Sequence, residues 1–191
     1  MEMKLQNLIN ELDLSLVEPF FIERAIEAFR NKDAGQMLIY FSNDYGLDFV
    51  SANIFPLKQQ GIFEEALFYA YAGCRVNWSG VTKNLLDHLF FIADKDRLMK
   101  IGDPLPHDGP YKVYRGVAGI GAKRRKRGIS WTASFEKAKW FATRFSDFLE
   151  KPIVYITVVE KKDVYAFHNG RKEQEFLCHI TKEHKLKKVW P

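Results

Sequence analysis

The chain predicts an α+β fold: a helical amino-terminal part over residues 1–105, packed as one compact unit on a small mixed β-sandwich over residues 111–191. Three observations carry this. Apolar residues recur at helical spacing through the first hundred positions and give way to short β-branched runs beyond residue 110. The change of period falls on a run of breakers, Gly102-Asp103-Pro104-Leu105-Pro106-His107-Asp108-Gly109-Pro110. Charge changes at the same place: residues 1–110 hold 10 Lys+Arg against 16 Asp+Glu, and residues 111–191 hold 19 against 8. An acidic part therefore precedes a basic part suited to an anionic partner. With 47% hydrophobic and 15% aromatic residues, the 191-residue chain has enough large side chains to bury a core.

The elements follow in order. Leu5, Leu8, Ile9 and Leu12 form one helical face, and Ile22, Ala25, Ile26 and Phe29 a second, which starts after Pro19 and ends before Gly35. The continuously apolar stretch Ile62 to Ala72, closed by Gly73, predicts a buried helix. Leu85, Leu86, Leu89 and Phe90 mark another, with Thr82 as its cap. These stripes are core packing and carry no chemistry. Beyond the breakers, Tyr111 to Arg115 and Ile129 to Ala133 read as strands, followed by a helix from about Phe135 to Phe145 with Ser134 at its N-cap. Ile153 to Val159 is the clearest strand, β-branched at nearly every position. Val164 to Phe167, Glu173 to Ile180 and Leu186 to Trp190 complete the set.

Several function classes drop out. No apolar run reaches the roughly 18–20 residues of a membrane span, and the amino terminus has no signal-peptide core, so a soluble cytoplasmic protein without membrane contact is expected. Cys74 and Cys178 are too few for a disulfide scaffold, and the histidines show no metal spacing with them, so no metal is expected. Cys178 and His179 are adjacent on a strand and point to opposite faces, which argues against a cysteine–histidine nucleophile pair.

Three stretches of the basic half remain. Val113-Tyr114-Arg115-Gly116 ends a strand on an arginine and a glycine. Gly128-Ile129-Ser130-Trp131-Thr132-Ala133-Ser134 is a strand whose alternation puts Ser130 and Thr132 on one face. Arg171-Lys172-Glu173-Gln174-Glu175-Phe176 sets two carboxylates at i and i+2, which on a strand also share a face. Each alone is ordinary. In this order, Arg then Ser/Thr then Glu-x-Glu, they resemble the arginine–serine–glutamate class of mono-ADP-ribosyltransferases. The run Gly-Ile-Ser-Trp-Thr followed by Ala138, Trp140, Phe141 and Ala142 is similar to small bacterial and phage toxin-like members, as is Asp163 to Phe167 leading through Gly170-Arg171 into Glu173 and Glu175. The likeness covers roughly residues 111–180.

That resemblance implies a sandwich split around an NAD cleft, with NAD as co-substrate and transfer of ADP-ribose to a macromolecular acceptor, releasing nicotinamide. Departure of nicotinamide passes through an oxocarbenium-like state, as in glycoside hydrolysis, and needs a carboxylate facing the developing charge. Glu175 takes that role by resemblance, Ser130 orients it, Arg115 clamps a phosphate or ribose oxygen, and Glu173 positions the incoming nucleophile. Gly116, Trp131 and Thr132 join Arg115 and Ser130 as cofactor contacts. Many members show Ser-Thr-Ser where this chain has Ser130-Trp131-Thr132-Ala133-Ser134, so a register using Thr132 and Ser134 stays open beside the preferred Ser130.

The basic run Lys123-Arg124-Arg125-Lys126-Arg127 lies between the first two motif strands and is the candidate acceptor contact, for a nucleic-acid backbone or an acidic protein face, with a solvated loop as the plain alternative. The acceptor is a protein arginine or a nucleic-acid base. A toxin or effector role, with a neutralising partner, is implied only through the resemblance. The alternatives are a non-catalytic basic nucleic-acid-binding protein on the same fold and an NAD glycohydrolase.

Overall fold

The computed structural model describes residues 2–41, 45–73, 80–121, 125–144, 149–170 and 172–191. The chain separates into two compact units, Met1–Ile101 and Gly102–Pro191, and the breaker run opens the second. Among the described residues no helix is long and apolar enough to cross a membrane.

The first unit is helical: α1 (Glu2–Asn10), α2 (Ile22–Arg30), α3 (Ala34–Ile39), α4 (Gly46–Ala52), α5 (Ile54–Gln60), α6 (Phe63–Gly73), α7 (Lys83–Ile92) and α8 (Lys95–Ile101). Phe29, Met37, Leu47, Phe49, Leu57, Phe63, Leu67 and Phe90 form its interior. Thr82 caps α7 as expected, accepting from the Leu85 N–H. Gly35, expected to follow a helix end, lies inside α3, whose cap is Asp33. Buried polar groups hold the joints. Asn53 both accepts from the Asp13 N–H (2.7 Å) and donates to the Asp13 carbonyl (3.0 Å). Glu64, buried on α6, pairs with Arg97 at 3.2 Å and accepts from the Asp94 N–H, which fixes the start of α8.

The second unit comprises β1 (Tyr111–Val117), β2 (Ser130–Thr132), α9 (Phe135–Thr143), β3 (Ile153–Val159), β4 (Val164–His168), β5 (Glu175–Cys178) and β6 (Lys187–Trp190). The α+β class stands. The mixed sandwich does not: the strands form one sheet in the order β4-β5-β2-β1-β3-β6, and every described pairing is antiparallel. The sheet has a waist. β1 pairs with β3 from Tyr111↔Val159 to Val117↔Ile153, and β2 pairs with β5 along its whole length, but β1 meets β2 only at Tyr114↔Thr132.

Register gives the sheet two unlike faces. Trp131↔Phe176 and Phe176↔Phe167 stack an aromatic row on one, joined by Tyr111 with its ring 4.9 Å from that of Phe176. The other carries Tyr114, Thr132, Glu175 and His168 in a line across β1, β2, β5 and β4. Helix α9 packs on this second face, setting Ala138 and Ala142 against Val154 of β3. Gly116 permits that approach: a Cβ there would overlap the Ala138 carbonyl oxygen and lie 2.7 Å from the Ala142 nitrogen.

Candidate active site

The groups that could do chemistry gather at the waist of the sheet. Just past the Tyr114↔Thr132 pair, Arg115 projects from β1, its Nε donating to the Arg125 carbonyl (2.9 Å) and its Nη1 to the Ser130 carbonyl. The absence of a Cβ on Gly128 leaves room for this guanidinium, which an added carbon would strike. Ser130, at the start of β2, turns its hydroxyl to the carboxylate of Glu175, the first residue of β5. Burial pushes the Glu175 carboxyl above the usual carboxylate range, and the charge of Glu173 pushes the same way. The Ser130 hydroxyl and the charges of His168 and Arg115 oppose that shift. A part-buried carboxyl of raised pKa with a hydroxyl turned to it is the kind of group that active sites hold.

Ser130 and Glu175 thus share one face of the sheet, while Arg115, next to Tyr114 on β1, leaves from the other face and reaches the junction through the Ser130 carbonyl. Glu173 is not where strand alternation expects it, because β5 begins only at Glu175. Lys172 (φ 54°) and Gln174 (φ 47°) both adopt left-handed backbone, which non-glycine residues rarely do, so Glu173 sits in a tight turn and shares no strand face with Glu175. Thr132 holds that turn: its hydroxyl donates to the Glu173 carbonyl at 2.5 Å and accepts from the Ser134 N–H at 3.0 Å. The Ala133 N–H adds a bond to the Gln174 carbonyl (3.1 Å). The Glu173 carboxylate also lies within electrostatic reach of Arg144, whose guanidinium stacks over the Phe141 ring at 4.8 Å.

Other expected contacts are corrected. Trp131 is 1% exposed on the aromatic face, with its indole N–H spent on the Gly128 carbonyl (2.8 Å), so it is core and no cofactor contact. Thr132, 4% exposed, has its hydroxyl committed on both sides to backbone. Gly116 is a helix-packing glycine. Ser134 accepts from the Lys137 N–H and caps α9, leaving Ser130 as the hydroxyl turned to Glu175. In the basic run, Arg125 and Lys126 are exposed, whereas Arg127 is tied to the carbonyls of Thr181 and His184 and serves the scaffold. Lys123, Arg124 and Arg171, with Phe145 at the expected end of α9, lie outside the described residues.

Sequence reasoning missed His168 and Asp103. His168 closes β4 directly opposite Glu175, and its Nδ1 is 3.7 Å from a carboxylate oxygen of Asp103. The strand Val164 to Phe167 was legible, but neither its extension to His168 nor its register against β5 was. Among the described residues no group of three or more His, Cys, Asp or Glu could hold a metal ion. Comparison with protein-family models, curated proteins and solved structures gives no match to this chain.

Proposed function

We propose that the second unit is an NAD-dependent mono-ADP-ribosyltransferase. The observation that supports this reading is the Ser130–Glu175 pair beside the single-pair junction of β1 and β2, with Arg115 bonded to the Ser130 carbonyl and the charge of Glu173 acting on the same carboxyl. In the proposed step the bond between the nicotinamide nitrogen and the ribose breaks, and its electron pair leaves with nicotinamide. The Glu175 carboxylate, held by Ser130, accepts a hydrogen bond from the neighbouring ribose hydroxyl and faces the positive charge that grows on the ring. The acceptor then bonds to the same ribose carbon and gives up its proton, for which Glu173 is the nearby base. Arg115 lends positive charge for the phosphates while bracing the strand junction.

The donor set fits such a substrate: a carboxylate and a hydroxyl suit ribose, and a guanidinium suits phosphate. Exposed Arg125 and Lys126 favour an anionic acceptor surface, a nucleic acid or an acidic protein face. A toxin-like effector with a neutralising partner is the biological setting that follows from the resemblance. The test is incubation of the protein with labelled NAD and a cell lysate. Label in protein, RNA or DNA supports transfer and identifies the acceptor class. Label found only as free ADP-ribose makes the protein a glycohydrolase, and unconsumed NAD makes it a non-catalytic binding protein.

A further inference from the structure

We propose that His168, with Asp103 behind it, is a positioning residue for Glu175, holding the carboxylate in its working orientation and ionisation state. This rests on the reading of Glu175 as the catalytic carboxylate. The placement is built by the fold. His168 and Glu175 are direct register partners in antiparallel β4 and β5, so their side chains rise side by side from the same face. Opposite, Thr132 is the partner of Glu175 on β2, but its hydroxyl is committed to backbone, so Ser130 acts on the carboxylate from the β2 side and His168 from the β4 side.

Asp103 is fixed with equal care. Its N–H donates to the Phe167 carbonyl (2.8 Å) and its carboxylate accepts from the Asn169 N–H (2.6 Å), so the segment after Gly102 runs along the end of β4. Only a glycine allows that approach: a Cβ at Gly102 would lie 2.7 Å from the Phe167 oxygen. At Gly170 a Cβ would press on the imidazole at 2.7 Å, so the ring is closely walled on that side too. The pair Asp103–His168 therefore holds the imidazole on the same face as Glu175, at its register position, where it favours the ionised carboxylate against burial.

The groups around Glu175 are Ser130 and Thr132 on β2, Arg115 on β1, Glu173 in the preceding turn and His168 on β4, with Arg144 near Glu173 and Asp103 near His168. Of these, His168 links the two: it is the register partner of Glu175 and its Nδ1 lies 3.7 Å from Asp103. The experiment follows the side-chain carboxyl of Glu175 by carbon NMR in glutamate-labelled protein, its signal assigned by its loss in Glu175→Gln. His168→Gln moves the Glu175 midpoint to higher pH, and His168→Lys, which restores a cation, brings it back down. Asp103→Asn alters the midpoint when His168 is present and leaves it unchanged in the His168→Gln background. In turnover, the rising limb of nicotinamide release against pH moves upward in His168→Gln. A Glu175 midpoint that is the same in wild type and His168→Gln overturns the proposal, as does an equal Asp103→Asn effect in both backgrounds. The titration needs no turnover, so a protein that releases no nicotinamide refutes the proposed reaction and not the His168–Glu175 coupling.

Discussion

Thr132→Val removes one oxygen and keeps the side-chain shape, and the structure fixes what that oxygen does. It lies at the end of β2, buried, donating to the Glu173 carbonyl at 2.5 Å and accepting from the Ser134 N–H at 3.0 Å. Valine suits a strand and leaves no cavity, so the loss is confined to two backbone groups without partners. An orphaned buried group costs about 1–3 kcal/mol. Glu173 and Ser134 are only part-buried, so water recovers some of this, and the combined loss comes to roughly 2–4 kcal/mol. Urea unfolding of the two proteins measures it. The consequence for activity is specific. The hydroxyl pins the turn that holds Glu173, whereas Glu175 is held by the β5 ladder, so Thr132→Val lowers labelling of an acceptor more than it lowers nicotinamide release. A stability loss below about 0.5 kcal/mol would show that Thr132 is not the anchor of that turn.

Three further outcomes are expected. Glu175→Gln raises stability at neutral pH: the folded carboxyl titrates above its ordinary 4.5, so the folded state binds its proton more tightly and loses stability as pH rises through that window. Thermal melts should show the variant ahead at pH 7.5 and level with wild type near pH 4, and a lower melting temperature at pH 7.5 would contradict the burial argument. Gly116→Ala drives a carbon into the α9 backbone at Ala138 and Ala142, which no rotamer can relieve, and costs at least about 1–3 kcal/mol in urea unfolding, while Gly73→Ala, which meets open space, does not destabilise. Ser134→Ala costs about 0.5–2 kcal/mol as a lost cap with nicotinamide release largely kept, whereas Ser130→Ala depresses release through Glu175, and the opposite ranking would restore the Thr132/Ser134 register.

What could be read in the chain follows from how local its cause is. Ile153–Val159 has the expected bounds because β-branched side chains favour strand at each position. The caps Thr82 and Ser134 were legible because each acts within three residues. Helices α3, α4, α5 and α8 were missed: at six or seven residues they complete fewer than two turns, too short for a period to show. The Glu173 turn was hidden because its left-handed residues are a lysine and a glutamine, not the glycine or asparagine that mark such turns. Trp131 was within reach of the alternation rule, since a strand that shows Ser130 and Thr132 on one face must send Trp131 to the other. Asp103 and His168 are 65 positions apart, and only the strand register and the path of residues 102–103 bring them together beside Glu175.

Nicotinamide release from NAD, measured for wild type and for Glu175→Gln with an acceptor-containing lysate, tests the central claim most directly. Loss of the charge facing the oxocarbenium centre costs at least about 10²–10³ in rate while the protein stays folded, so wild type releases nicotinamide and the variant releases it more slowly by that factor. Equal release by the two proteins, or none from wild type, would contradict it.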